Sequence, residues 1–154
     1  MRLINTITGE KVDGVIEMVT ANEIKGISKS KRFDFDWNVE KDLDVYKIRL
    51  RDSDEILGLM SLIDWPEELR IEIHLLESSK ENVGSKSKLY GNIAGCLIAY
   101  ACGKSFERGY AGFISLVPKT NLRKYYINEY HMEEGGRSVF SDTENSMALI
   151  EKYL

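Results

Sequence analysis

The strongest pattern in the chain is the strict alternation of apolar and polar residues from 69 to 75. A period of two predicts a half-buried strand, with Ile71, Ile73 and Leu75 on one face and Arg70, Glu72 and His74 on the other. Upstream, Val45, Ile48 and Leu50 mark a strand, residues 52–55 a tight acidic turn, and residues 56–63 a second strand, which together predict an antiparallel hairpin. Beyond a polar loop at 77–87 the period changes. Leu89, Ile93, Leu97 and Ala101 recur at every fourth residue, and Ala94, Ile98 and Tyr100 widen the apolar surface. This spacing predicts a core helix running to about Arg108, with Gly109 placed to stop it. Residues 112–117 read as a strand, so the order strand, helix, strand predicts a parallel crossover.

The flanks are less regular. Thr120 is placed to cap a short helix ending near Tyr130, residues 137–141 read as a strand, and a last helix starts from Asp142 or Thr143 and buries Met147, Ile150 and Tyr153. Near the N-terminus, residues 15–19 fit a strand or a helical turn, and residues 26–32 read as a solvated loop. The cluster Phe33, Phe35 and Trp37 is expected to pack rather than stack on bases, because Asp34, Asp36 and Glu40 would repel a phosphate backbone.

Composition narrows the function. With 154 residues, 43% of them hydrophobic, the chain is long enough for one sizeable core, and residues 1–154 are expected to form a single domain. The 21 basic and 25 acidic residues are interspersed and sum to −4, which argues against nucleic acid as a partner. Cys96 and Cys102 lie six apart in the apolar helix, with no second Cys or His pair, so neither a disulfide nor a zinc site is expected and no metal is predicted. No stretch approaches the roughly 18 apolar residues of a membrane span, and no signal peptide is read at the N-terminus. The expectation is a cytoplasmic protein.

Candidate chemistry concentrates where the helix begins. A helix N-terminus exposes backbone N–H groups and the positive end of its dipole, and glycine lets an anion approach closely. Gly91 and Gly95 lie at this junction, with Lys86 and Lys88 to add charge and Ser85 and Ser87 to donate hydrogen bonds. A plain loop-to-helix junction explains the same residues, and neither a dinucleotide fingerprint nor a Walker loop is present.

The succession from Val45 to Tyr130, with the break at Gly109, the strand after it and a tyrosine-bearing helix beyond, resembles the GNAT superfamily of N-acetyltransferases, in particular a degenerate bacterial subset. The resemblance implies an α/β (α+β) fold, a mixed and mostly antiparallel central sheet flanked by helices. It also implies acetyl-CoA as the cofactor: its pantetheine arm pairs with the central strand, here near Leu75 and Leu76, and its pyrophosphate sits on the next helix. The family loop has the pattern Gln/Arg-x-x-Gly-x-Gly/Ala. Starting at Lys88 supplies a basic residue and Gly91 but puts Ile93 last; starting at Leu89 places Ala94 but puts Leu89 and Asn92 in the first two positions. Lys88, Gly91, Asn92, Ala94 and Gly95 are the resulting candidates for cofactor binding.

Family members use a tyrosine on the helix after the fifth strand to protonate the departing thiolate. Here that implies Tyr126 rather than Tyr125, although His131 stands where the family has glycine. A tyrosine pKa of about 10 suits that proton transfer, and a tyrosine packed in the core with its hydroxyl satisfied explains the residue equally well. The family's base is often a carboxylate on the central strand, which points to Glu72, with His74 on the same face; an exposed pair without function fits both equally. The implied activity is transfer of an acetyl group from acetyl-CoA to a primary amine of a small molecule or peptide, by a monomer or homodimer. Asp64, Glu67 and Glu68 either draw a cationic amine or form an ordinary solvated acidic cluster. The alternative is a catalytically inactive GNAT-like module that senses CoA or binds a protein.

Overall fold

The computed structural model describes residues 1–83 and 88–154, so Ser85, Lys86 and Ser87 lie outside the described residues. Two short strands, β1 (Leu3–Asn5) and β2 (Lys11–Val12), lead into β3 (Gly14–Met18), helix α1 (Ala21–Ser30) and a 3-10 turn at Trp37–Glu40. The strands β4 (Asp44–Leu50), β5 (Ile56–Trp65) and β6 (Arg70–Ser78) follow. Then come β7 (Tyr90–Gly91), α2 (Ile93–Glu107), β8 (Ile114–Leu116), α3 (Arg123–Tyr130), β9 (Glu133–Gly135), β10 (Ser138–Ser141) and α4 (Thr143–Tyr153). Among the described residues the main sheet has the order β3-β4-β5-β6-β8-β10-β9. β6 and β8 pair in parallel and the other neighbours are antiparallel, so the α2 crossover links the two parallel strands as the pattern predicts. A smaller sheet, β2-β1-β7, ties the N-terminus to the entrance of α2.

Two cores follow from this order. The larger packs α2 and the inner faces of α3 and α4 on one side of the sheet, around Met60, Ile71, Ile73, Leu97 and Ile98. The smaller lies under α1 and joins Ile24, Ile27, Phe33 and Trp37 to Val45 and Leu59. Each such side chain removed from water contributes about 1.5–3 kcal/mol. The aromatic cluster is therefore packing, with Trp37 fully buried.

Helix α2 buries residues on nearly every side, and it ends as its glycine predicts. Gly109 has φ +83, the Tyr110 amide donates to the Ser105 carbonyl and the Gly109 amide to that of Phe106, which closes the terminal carbonyls in a Schellman arrangement. Helix α4 starts at the Asp142 cap, whose carboxylate accepts from the Asn145 amide at 2.9 Å.

Several sequence expectations change. Residues 26–32 are not a solvated loop: most of them belong to α1, nucleated by a capping box in which Thr20 and Glu23 satisfy each other's backbone amides and held by buried Ile24 and Ile27. Met147 is 59% exposed; α4 buries Tyr153 as expected, together with Leu149, and Ile150 packs partly buried against the larger core. The last short helix begins at Arg123, after a 3-10 turn at Thr120–Leu122. Gly91 is not in the helix at all but in β7, opposite Ile4.

The alternation in β6 also breaks. Ser61 of β5 lies opposite Leu75 while its neighbour Leu62 lies opposite Ile73, so His74 is the extra residue of a bulge. Past that point the faces exchange. Ile71, Ile73 and Leu76 point to the larger core, and Leu75 packs with the α1 side.

Candidate functional site

The parallel pairing of β6 with β8 is short: Ile71 faces Ile114, Glu72 faces Ser115 and Ile73 faces Leu116. β8 then ends, and Val117-Pro118 leads away to α3 while β6 continues to Ser78. Proline cannot donate to a ladder and biases the residue before it towards extended backbone, which favours divergence here. Two adjoining clefts occupy the gap. A narrow one of about 120 Å³ lies over Ile73 and Leu116 and includes His74, Leu75 and Tyr126. A wide one of about 650 Å³ runs from Leu76 to the N-terminus of α2, flanked by Tyr125, Tyr126 and Tyr130. Phe35, Leu76, Lys119, Leu122 and Tyr126 line both.

The roof of the clefts is built from the loop before the 3-10 turn. Glu77 of β6 accepts from the Asp34 amide at 2.6 Å, the Phe35 amide at 3.2 Å and the Trp37 indole at 2.9 Å, and this fixes Phe35 over the gap. Lys119 reaches across from the far side, with Nζ 3.9 Å from the centre of the Phe35 ring.

At the wide end, Lys88, Gly91, Asn92 and Ala94 all line the cleft. Asn92 caps α2 with left-handed backbone, φ 69, and its side-chain amide donates to the Arg2 carbonyl at 3.0 Å, so the helix entrance is anchored to the N-terminal strand region. The first amides of α2 have no partners within the helix, so the cleft ends on backbone donors. Gly95 is one position further in. A Cβ there would lie 2.4 Å from the Tyr153 ring, so this glycine serves helix packing.

The expected acid and bases are placed differently from one another. Tyr126 lines both clefts, and burial raises its pKa, which keeps the hydroxyl protonated. Tyr125 is 48% exposed, with its ring edge-on to Tyr126. His74 lines the narrow cleft, with Nδ1 2.6 Å from Glu40 Oε1. Glu72 sits in the third pair from the sheet's Trp65 end, where it accepts from the Trp65 indole at 3.2 Å and lies 3.4 Å from Arg70. Asp64 accepts from the Tyr110 hydroxyl at 2.7 Å and pairs with Arg108, and Glu68 pairs with Arg70, so two of the three acidic groups expected to attract an amine carry cations of their own.

Nothing in the sequence marks Phe35, Glu40, Glu77 or Lys119 as residues of the site. The acidic residues around Phe35 predict only repulsion of a phosphate backbone, and nothing in their spacing reveals that Glu77 gathers that loop or that Glu40 meets His74. Among the described residues no group of three or more His, Cys, Asp or Glu side chains is arranged to hold a metal ion, and no helix is long and apolar enough to cross a membrane.

No protein-family model matches the chain, and no curated protein matches it in sequence. Solved structures do match. The chain resembles mutant forms of the spermidine/spermine N-acetyltransferase SpeG from Vibrio cholerae, at 12% identity and TM-score 0.63, over 88% of this chain and 97% of the other. It also resembles the IAA acetyltransferase from Bacillus cereus, at 13% identity and TM-score 0.57, over 80% and 79% of the two chains. An acetyltransferase from Bacillus subtilis in complex with CoA matches at 15% identity and TM-score 0.50, over 86% and 99%. At these identities the likeness speaks to architecture: the chain has the GNAT fold, a mixed, mostly antiparallel sheet flanked by helices.

Proposed function

We propose that the protein is an N-acetyltransferase that moves an acetyl group from acetyl-CoA to a primary amine. The observation that carries this reading is the divergence of β6 from β8, which opens a cleft running from the edge of β6 to the N-terminus of α2. Beyond Ile73, the edge of β6 that faced β8 offers backbone donors and acceptors to an extended amide-bearing chain such as pantetheine, near Leu75 and Leu76. At the far end, Lys88, the α2 amides around Asn92 and Ala94, and the small surface of Gly91 suit a pyrophosphate. The volume of about 650 Å³ falls within the range of ligand sites, roughly 300–1,000 Å³.

Acetyl-CoA supplies an activated thioester; the residues of this chain supply position and protons. Holding the thioester and the amine side by side lowers the barrier by pre-ordering the reactants. Tyr126, protonated and shared by both clefts, is the group that donates to the departing sulfur. The amine enters through the narrow cleft, beside His74.

The test is an acetyl-transfer assay that follows thiol release from acetyl-CoA in the presence of a panel of amines. The panel begins with spermidine, which the name of the Vibrio cholerae neighbour gives as that enzyme's substrate. Amine-dependent thiol release that falls about 100-fold in Tyr126→Phe, with the KM for acetyl-CoA little changed, is the expected result. Release that Tyr126→Phe leaves intact removes Tyr126 from the chemistry, and a protein that binds CoA yet transfers to no amine is a binding module.

A further inference from the structure

Glu40 is a carboxylate buried to 3% exposure at the end of the Trp37–Glu40 turn. Burying a lone charge costs several kcal/mol, so such a group persists where its partners satisfy it. Its Oε1 accepts from the Ser61 hydroxyl at 2.9 Å and lies 2.6 Å from His74 Nδ1. A contact of this length holds one proton, and because Oε1 already accepts from Ser61, the geometry favours the ring nitrogen as its carrier. In the neutral ring this leaves Nε2 as the acceptor. The His74 side chain is 45% exposed and lines the narrow cleft together with Tyr126. Three elements set this geometry: the 3-10 turn carries Glu40, β5 carries Ser61, and the bulge in β6 turns His74 outward.

We propose that Glu40 is a positioning residue that holds the His74 proton on Nδ1, so that Nε2 is the base that deprotonates the attacking ammonium. This rests on the acetyltransferase reading for the identity of the reaction. His74 Nε2 takes one proton from R–NH₃⁺ and passes it to solvent. The freed electron pair of the amine forms the new C–N bond as the C–S bond breaks with its pair on sulfur. Tyr126 Oη gives its proton to that sulfur and recovers one from the amide nitrogen, so the net products are amide, thiol and one released proton. The charged or titratable groups that line the cleft with His74 are Lys119 and Tyr126, and Glu72 is its neighbour two residues away on β6. Of the two side chains on β6 that could act as the base, Glu72 is occupied by Trp65 and Arg70 and lines neither cleft, whereas His74 lines the narrow cleft with Tyr126.

The chain has two histidines, His74 and His131, so long-range ¹H–¹⁵N spectra of the imidazoles are assignable with His74→Gln as the reference. At about pH 8, above an ordinary histidine pKa of about 6.5, the expected spectrum of the full chain has the His74 proton on Nδ1. Glu40→Leu, which fills the space without an acceptor, releases the ring to a mixture of tautomers. Glu40→Gln, whose amide carbonyl still accepts, restores the Nδ1–H form. On an amine that the protein acetylates, His74→Gln and Glu40→Leu lower kcat at least ~10-fold with the KM for acetyl-CoA unchanged, and Glu40→Gln recovers part of the rate. A merely structural Glu40 would shift stability without moving the tautomer. A proton on Nε2 in the wild type, or a His74 spectrum indifferent to Glu40→Leu, overturns the proposal, as does full activity in His74→Gln. Titration with acetyl-CoA distinguishes the two levels: absent binding refutes the acetyltransferase reading, and the tautomer measurement stands apart from it.

Discussion

Gly95 and Gly103 lie eight residues apart in the same helix and give a matched pair of perturbations. A Cβ at Gly95 would sit 2.4, 2.6 and 2.7 Å from three atoms of the Tyr153 ring, whereas one at Gly103 meets nothing within 4 Å. Carbon atoms prefer about 3.5–4.0 Å, so Gly95→Ala requires the ring to retreat by more than ~1 Å. Tyr153 is 2% exposed and its ring packs against Tyr130 at 6.0 Å between centroids, so that movement disturbs the packing even though the ring borders the wide cleft. Overpacking of this kind costs about 1–3 kcal/mol, while removing glycine from a helix interior returns about 1 kcal/mol. The net change for Gly95→Ala is therefore a loss between zero and about 2 kcal/mol, against a gain of about 0.5–1 kcal/mol for Gly103→Ala. Urea unfolding followed by circular dichroism should separate the variants by about 1–3 kcal/mol, and their melting temperatures by some 2–12 °C. If Gly95→Ala is as stable as Gly103→Ala, the close contact of α2 with Tyr153 is not what requires glycine at this position.

Three further outcomes are expected. Glu77→Ala removes the acceptor shared by the Asp34 and Phe35 amides and the buried Trp37 indole, and should cost about 2–3 kcal/mol in urea unfolding; a loss below ~0.5 kcal/mol would show that the loop does not depend on it. The hydrogen bond from Arg32 holds the Glu81 carboxyl down, from 4.5 to about 2, so its contribution is present above pH 4.5 and is lost as pH falls towards 2; Glu81→Gln should flatten acid unfolding in that window, leaving the part due to Glu17 and Glu23, which are also lowered. Burial pushes the Cys96 thiol up to about 11 and Cys102 up to about 12, so a thiol reagent at neutral pH should react with the native protein only as fast as it opens, and rapid labelling without denaturant would contradict this packing.

The hairpin of β4 and β5, the strand β6, the helix α2 with its Gly109 stop, and the parallel return to β8 were legible because each is set by a local period or a single conformational requirement. What the sequence hides depends on partners distant in the chain. α1 looks polar because only Ile24 and Ile27 of its ten residues are buried, and its capping box lies at its start. β7 exists only because β1 arrives beside it, so Gly91 read as the first turn of the helix when it belongs to a strand. At the site, the period of two put His74 and Glu72 on one face but gave no sign of the bulge that moves Leu75 to the other core. Glu40 is 34 residues from His74 in sequence, and only the fold joins them.

The most direct test of the account is calorimetric titration of the purified protein with acetyl-CoA and with CoA, repeated on Gly91→Asp. A Cβ at Gly91 meets nothing closer than Ile4 at 4.0 Å, so the backbone there accepts a side chain, and an aspartate adds negative charge to the wall of the wide cleft. Binding in the micromolar range that is lost in Gly91→Asp, with the melting temperature of the variant unchanged, is what a pyrophosphate site at the entrance of α2 predicts. Wild-type protein that gives no heat and no thermal shift at millimolar acetyl-CoA would contradict it, and would leave the cleft between β6 and β8 without the ligand proposed for it.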